Sequence, residues 1–441
     1  MAHTKIIVLD DDPTGSQTVH SCLLLTRWDA ATLREALLDE APLFFVLTNT
    51  RSMHADQAAD ITREVCRNLK SVLAYLKEEG ISINPIVVSR SDSTLRGHYP
   101  VETDVIAQEL GPFDAHFLVP AFFEGGRVTR DSVHYLIVDD KPVPVHDTEF
   151  AKDSVFGFST AYLPDYVEEK TQGRTKAGDV ERFVLNDVRG NMQDRLMALS
   201  NNVCCVVDAE QQSDLDNFCN HLQTAAEQGK RFLFRSAASL LTSLAQLPPQ
   251  AVKPESMCAY VRNGKPGAVV VGSHVKKTTA QLQELLKQPG TVAVEVDVAQ
   301  ISVNPERLFN EINAAAHQAH ADGLTPVIYT SRVEKVFADE TSRLAFGEQV
   351  SGFLMDVVRA LPTSIGFLIS KGGITSNDVL SHALALRASR VVGQILAGCS
   401  VVRCPPDHPR FADLPVVIFP GNVGDEFGLA TVYNRLSQAG S

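Results

Sequence analysis

Three carboxylates stand side by side early in the chain, Asp10, Asp11 and Asp12, followed by Pro13, Thr14 and Gly15. A carboxylate beside a bound hydroxyl can take its proton as the oxygen attacks phosphorus. Adjacent acids repel one another, and burying one without a partner costs several kcal/mol. Cations are available in Thr48-Asn-Thr-Arg51-Ser52, in Ser89-Arg90-Ser-Asp92-Ser93-Thr94-Leu-Arg96-Gly97 and in Glu124-Gly-Gly-Arg127. An arginine fork matches a carboxylate through two parallel hydrogen bonds, and Ser, Thr and Asp side chains match hydroxyls. Together these residue types suit a small hydroxylated anion. The plainer readings are a solvated acidic turn and arginines in surface ion pairs.

A second set lies in the last part of the chain: Gly272-Ser273, Lys371-Gly372-Gly373-Ile-Thr375-Ser376 and Gly421-Asn422-Val-Gly424. Each follows an apolar run and precedes a helical pattern, so unpaired N–H groups and the positive end of a helix point at one edge. Glycine lets a phosphate approach the backbone, and the hydroxyls add donors. Neither the G-x-x-x-x-G-K-[ST] nor the G-x-G-x-x-G order is present. The alternative for each is a tight strand-to-helix connection.

The elements that must position these groups alternate. Apolar runs at residues 5–9, 43–47, 85–88 and 115–119 read as strands, with helices expected over 29–38, over 55–79 and from Val101. Residues 133–145 read as a hairpin, after which strands are expected at 203–207 and 231–234. The Pro- and Gly-rich stretch 246–266 is the linker candidate. Beyond it come a strand ending at Val271, a helix over 278–286, a helix from about Asn377 and another from about Glu426. Such alternation predicts an α/β fold of two domains, each a largely parallel sheet flanked by helices. Ligands of such sheets sit beyond the carboxyl ends of the strands, where the acids, arginines and glycines fall. The expected division is a substrate domain over 1–250 and a nucleotide domain over 267–441, with the active site in the cleft between them.

Composition limits the partners. A chain of 441 residues exceeds one typical core, and its 44% hydrophobic and 21% charged content is that of a globular protein. A net charge of −13 argues against nucleic acid and anionic membrane as general partners. The eight cysteines show no C-x-x-C pair or metal-ligand spacing, so free thiols in a reducing compartment are expected. A strand begins almost at once, which leaves no room for a signal peptide, and no apolar run reaches roughly 18 residues. A cytoplasmic protein is expected.

One rival uses the same acids. Asp10-x-Asp12-x-Thr14 after a strand matches the haloacid-dehalogenase-type phosphatase signature, with Thr48 as its second motif and Lys371 and Gly424-Asp425 as later ones. Asp10 would then be the nucleophile and Asp12 the general acid/base, with Mg²⁺ between them. That reading leaves the segment from Asp92 to Gly97 without a role.

Asp11-Asp12-x-Thr14-Gly15, Thr50-Arg51-Ser52, Asp92-Ser-Thr-Leu-Arg-Gly97, Gly126-Arg127, Gly272-Ser273, Gly372-Gly373 and Gly421-Asn-Val-Gly424 resemble, in this order, the motifs of the four-carbon acid sugar kinases. The resemblance runs nearly the whole chain, and Asp-Ser-Thr-Leu-Arg-Gly is its most specific part. It implies an N-terminal substrate domain, a C-terminal nucleotide domain and phosphorylation of threonate, erythronate or 3-oxotetronate by ATP. It implies a substrate site at Asp11, Asp12, Arg51, Asp92, Ser93, Thr94 and Arg96, and ATP at Ser273, Gly372, Gly373, Gly421 and Gly424. Arg90, Arg127, Thr375 and Asn422 join these sites by position. Pro13, Asn49 and Ile374 depart from the commoner pattern.

The expectation is therefore an ATP-dependent kinase of a small anionic sugar acid. Arginines hold the carboxylate, Asp12 is the base with Asp92 second, and Mg²⁺ on ligands left open bridges the phosphates. A homo-oligomer is compatible with it. The competing expectations are the Mg²⁺-dependent phosphatase and a nucleotide- or acid-sensing protein without turnover.

Overall fold

The structure, a computed structural model, describes residues 3–332, 340–421 and 423–437. The chain divides into two compact units, Met1–Pro248 and Pro249–Ser441.

The first unit contains β1 (His3–Asp10), β2 (Leu23–Leu25), β3 (Leu43–Leu47), β4 (Ile83–Arg90), β5 (Ala115–Val119), β6 (Arg127–Arg130), β7 (Val133–Val138), β8 (Lys141–Pro144), β9 (Glu181–Phe183), β10 (Val203–Val207) and β11 (Phe232–Ser236). Its main sheet runs β2-β3-β1-β4-β11-β5-β10-β9, and each neighbouring pair is parallel. Ile6–Leu9 are buried because helices cover both faces, and every side chain so buried contributes about 1.5–3 kcal/mol. Asp29 caps the helix Ala30–Leu38 by accepting from the Thr32 N–H at 3.1 Å. The helix Ala55–Glu78 buries Val65, Leu69, Val72 and Leu76, one stripe at helical spacing. β6, β7 and β8 form a separate antiparallel sheet, so the expected hairpin gains a third strand from the segment that carries Arg127.

The second unit contains β12 (Ala268–Val271), β13 (Thr291–Val296), β14 (Thr325–Thr330), β15 (Leu368–Lys371), β16 (Ala388–Leu396), β17 (Cys399–Arg403) and β18 (Pro415–Phe419). Its order is β13-β14-β12-β15-β18-β17-β16. The pairs from β13 to β18 are parallel, and those joining β18, β17 and β16 are antiparallel. Residues 246–266 run largely as short 3₁₀ turns whose Met257 is buried in this unit's core, with Val252, Tyr260 and Val261 packed on it. The helix expected from about Asn377 begins four residues earlier and spans Gly373–Asp378. Gly372, at φ +120°, turns the chain directly after β15, a conformation that side-chain-bearing residues rarely adopt.

Candidate active site

β3, β1, β4, β11 and β5 are consecutive neighbours, so Thr48, Asp11, Ser91, Ala237 and Pro120 follow directly beyond one carboxyl edge. Asp10, the last residue of β1, is fully buried. Arg90 Nη1 donates to its Oδ1 at 3.2 Å, while Oδ2 has no hydrogen-bond partner among the described residues. Burial raises the Asp10 carboxyl to about 7, although Arg90 pulls it down. Gly15 closes over this carboxyl: a Cβ there would lie 1.9 Å from Oδ2. Among the described residues the Asp10 oxygens are enclosed, whereas a phosphatase nucleophile needs an open approach.

Exposure separates the expected site residues into two groups. The Asp11 side chain is 1% exposed and that of Arg90 4%, against 18% for Arg51, 22% for Asp12 and 24% for Arg96. Arg51 grips Asp11 with Nε (3.2 Å) and Nη2, and reaches Asp12 Oδ2 with Nη1 at 3.5 Å. Ser91 Oγ donates to Asp11 Oδ2 at 2.5 Å. Asp11 and Arg90, expected at the substrate, are thus sealed: the first orients Arg51 and the second neutralises Asp10. Asp12 stays partly open and accepts from the Thr14 N–H at 2.9 Å and from the Thr14 hydroxyl. Burial pushes its carboxyl up, but Arg51, Arg90 and Thr14 together hold it below the ordinary value.

The segment after β4 forms the second half of this edge. Asp92 accepts from Arg96 Nε at 2.7 Å and from the buried Thr94 hydroxyl. Burial raises Asp92, but Arg51 and Arg96 outweigh it and hold the carboxyl ionised. Arg96 stacks 4.9 Å from the Phe150 ring. Gly97 lies at φ +119°, and a Cβ there would fall 2.3 Å from Ser91 Oγ and 2.6 Å from Arg235 Nη2. Gly97→Ala is accordingly expected to cost about 1–3 kcal/mol, read as a lowered melting temperature; an unchanged melt would show that the loop has room to move.

Several residues of this edge were not singled out in the sequence. Arg235 on β11 donates to Glu102 Oε2 (2.6 Å), Ser89 Oγ (2.8 Å) and Ser91 Oγ (2.7 Å), and Glu102 Oε1 accepts from Thr50 Oγ1 at 2.6 Å. One buried ion pair therefore ties the segments holding Arg51 and Asp92 to each other. His98 Nε2 lies 3.0 Å from the carbonyls of both Thr50 and Met53. The fully buried His134 places Nε2 2.8 Å from the Ser93 carbonyl and Nδ1 2.9 Å from Thr129 Oγ1. Burial lowers His134 to about 4, so it is neutral at pH 7: Nε2–H donates to Ser93 and Nδ1 accepts from Thr129.

Beside Asp92 lies a recess lined by residues including Leu95, Leu118, Tyr166 and Ser236. The Ser236 hydroxyl is buried without a hydrogen-bond partner among the described residues. Arg127 lies where the charges of Asp92 and Arg96 both act on it, and burial lowers its pKa. It donates to the Gly125 carbonyl, while its Nε is buried and has no hydrogen-bond partner among the described residues.

In the second unit β12, β15 and β18 are neighbours, and each ends in a glycine-bearing turn. The first two turns touch: a Cβ on Gly272 would lie 2.3 Å from Thr375 Oγ1, and one on Gly372 would lie 3.3 Å from Ser273 Cβ. Ser273 Oγ accepts from Thr278 Oγ1 at 3.2 Å, and its carbonyl accepts from Arg332 Nη1 at 2.6 Å. Gly373 is half-buried and Thr375 buried. Beyond β18, Gly421 has open space where a side chain would stand, and Gly424 lies at φ +77°; Asn422 lies outside the described residues. Among the described residues no group of three His, Cys, Asp or Glu side chains could hold a metal ion, and no helix is long and apolar enough to cross a membrane.

The family model for a sugar-binding N-terminal domain matches residues 6–244, and that for a nucleotide-binding C-terminal domain matches residues 268–429. The D-erythronate kinase of Heliobacterium modesticaldum is 25% identical over 463 aligned positions, covering 98% of this chain and 97% of that one. A solved protein of Salmonella typhimurium LT2 superposes with a TM-score of 0.71 at 18% identity, covering 98% of both chains. One from Haemophilus influenzae gives 0.65 at 18%, covering 98% of this chain and 100% of that one. At such identities the two structures establish the fold alone. With both family domains matched in order, on units that carry an arginine–carboxylate edge and three glycine turns, the chain belongs to the four-carbon acid sugar kinase family.

Proposed function

We propose that the protein transfers the γ-phosphoryl group of ATP to a hydroxyl of a four-carbon acid sugar, with D-erythronate as the first candidate. The observation that carries this is a set of unsatisfied polar atoms around Asp92: among the described residues the Ser236 hydroxyl, which lines the recess beside Asp92, and the Nε of Arg127, on which the Asp92 charge acts, are buried without hydrogen-bond partners. Such groups are costly unless a ligand completes them. Arg127 and Arg96 take the carboxylate, and Ser93, Thr94 and Ser236 border the hydroxyls. Asp12, held ionised and half open by Arg51, accepts the proton of the attacking hydroxyl, and Asp92 is the second candidate. Asp11 and Arg90 act from behind, by fixing Arg51 and balancing Asp10.

The residues assigned to the nucleotide are Ser273, Gly372, Gly373, Thr375, Gly421, Asn422 and Gly424. The hydroxyl oxygen bonds to the γ-phosphorus as the bridging P–O bond breaks, ADP departs with that electron pair, and the proton passes to Asp12. Magnesium usually keeps several waters and binds through one or two carboxylates plus phosphates, so single carboxylates fit it and a protein cage is not required. It would neutralise phosphate charge, and Asp12, the partly open carboxylate of this edge, would be a candidate ligand.

The test is ADP release from ATP with threonate, erythronate and 3-oxotetronate in turn. At least one acid is expected to raise ADP release well above the rate without acid. Release of phosphate from simple phosphate esters without nucleotide, and no acid-dependent ADP, would favour the phosphatase.

A further inference from the structure

β15 is apolar and buried, yet it ends in a lysine. Lys371 is fully buried, and its Nζ donates to the Pro420 carbonyl at 2.6 Å and the Gly421 carbonyl at 3.2 Å. The Phe419 ring centre lies 4.1 Å from the ammonium. Among the described residues no carboxylate forms an ion pair with it, so an isolated cation is kept inside the sheet at a cost. Gln281, also fully buried, reaches the same segment: its Nε2 donates to the carbonyls of Val423 (2.9 Å) and Asp425 (2.7 Å). Two interior side chains thus draw in four carbonyls of the stretch after β18.

A peptide plane turns its N–H opposite to its carbonyl. With the carbonyls of Pro420, Val423 and Asp425 drawn inward, the N–H groups of Gly421, Gly424 and Glu426 are turned away from the interior. Backbone N–H groups of one turn that point away from the interior are donors for an anion. We propose that Lys371 and Gln281 are positioning residues for nucleotide binding: they set the turn after β18 as a backbone cradle for phosphate, and Lys371 places a positive charge beneath it. This rests on the nucleotide reading of the second unit.

The charge makes the idea measurable. Burial lowers Lys371 to about 7, with Cys399 on β17 opposing that shift and Lys277, on the helix Lys276–Leu285, adding to it. Cys399 is itself kept neutral by burial. A phosphate arriving above the turn raises Lys371 again. At pH 8 the side chain is then mostly neutral when free and charged when bound, so binding takes up a proton and affinity falls as pH rises above about 7.

ADP is titrated calorimetrically into the full-length protein at pH 8, where its own phosphates are fully ionised, in two buffers of different ionisation enthalpy. The expected uptake is roughly 0.5–1 proton per ADP. Lys371→Met is expected to abolish the uptake and weaken ADP roughly tenfold, and Gln281→Leu to weaken it comparably with the uptake intact. If Lys371→Met does not fold, the wild-type uptake and Gln281→Leu decide between them. Wild-type binding without uptake, or wild-type affinity in Gln281→Leu, overturns the proposal. No ADP binding by the wild type removes the nucleotide reading itself, and the proposal with it.

Discussion

Asp12→Asn is expected to lower turnover roughly 1,000-fold, within the range by which a positioned base contributes to proton transfer, and to leave nucleotide affinity unchanged. The carboxylate accepts two hydrogen bonds from Thr14 and faces Arg51 at 3.5 Å, so its orientation is fixed before any substrate arrives. Asparagine keeps the volume and one acceptor oxygen but cannot take a proton. Because Arg51, Arg90 and Thr14 hold the wild-type pKa below the ordinary 3.8, the base is ionised across the neutral range. Acid inactivation through Asp12 is therefore expected only at still lower pH, and the wild-type kcat should show no limb from this group between pH 5 and 8. Steady-state kinetics at saturating acid and ATP, with a melting curve to show intact folding, make the measurement. Full turnover in a folded Asp12→Asn variant would take Asp12 out of the mechanism and pass the role to Asp92.

The same edge shows what the sequence made legible. Apolar runs that stop at Asp10, Leu47 and Val119 locate strands whose ends carry the chemistry, because a doubly covered strand is apolar along its length and polar where it emerges. Arg90 misled for the complementary reason: the strand continues to it, so a residue expected at the substrate is enclosed and pairs with Asp10. The helix at Gly373 was placed late because a backbone φ of +120° at Gly372 leaves no periodicity to read. Arg235 and Glu102 were missed because their partners are distant in the chain, Glu102 lying 52 residues from Thr50 and 133 from Arg235, and His134 because the Ser93 carbonyl it meets lies 41 residues away. A signal was nevertheless present. Lys5, Arg235 and Lys371 each lie buried at or next to the apolar run of a strand, and a charge buried there must have a built partner. Lys5 finds two backbone carbonyls, Arg235 a carboxylate and Lys371 a turn.

Arg235 leads to the second large effect. Its ion pair with Glu102 is 4% and 5% exposed at 2.6 Å, and both partners complete their hydrogen bonds with Ser89, Ser91 and Thr50. Removing one member leaves a buried charge without its counterion, at a cost of about 3–5 kcal/mol. Arg235→Met is expected to lower the melting temperature by roughly 10 °C, on the scale of about 2–4 °C per kcal/mol for a unit of this size. Glu102→Gln, which can still accept from Thr50 while stranding Arg235, should fall between that variant and the wild type. The double variant Glu102→Gln with Arg235→Met should be less damaged than the sum of the singles, because no stranded charge remains. A structural brace alone would stop there. This one also holds Ser91, and through Ser91 and Asp11 the fork of Arg51 that sets Asp12, so the Glu102→Gln enzyme at a temperature where it is folded should show a lowered kcat with the KM for ATP unchanged. Additive melting shifts, or an unchanged kcat, would mean that the pair supports the fold without setting the acid site.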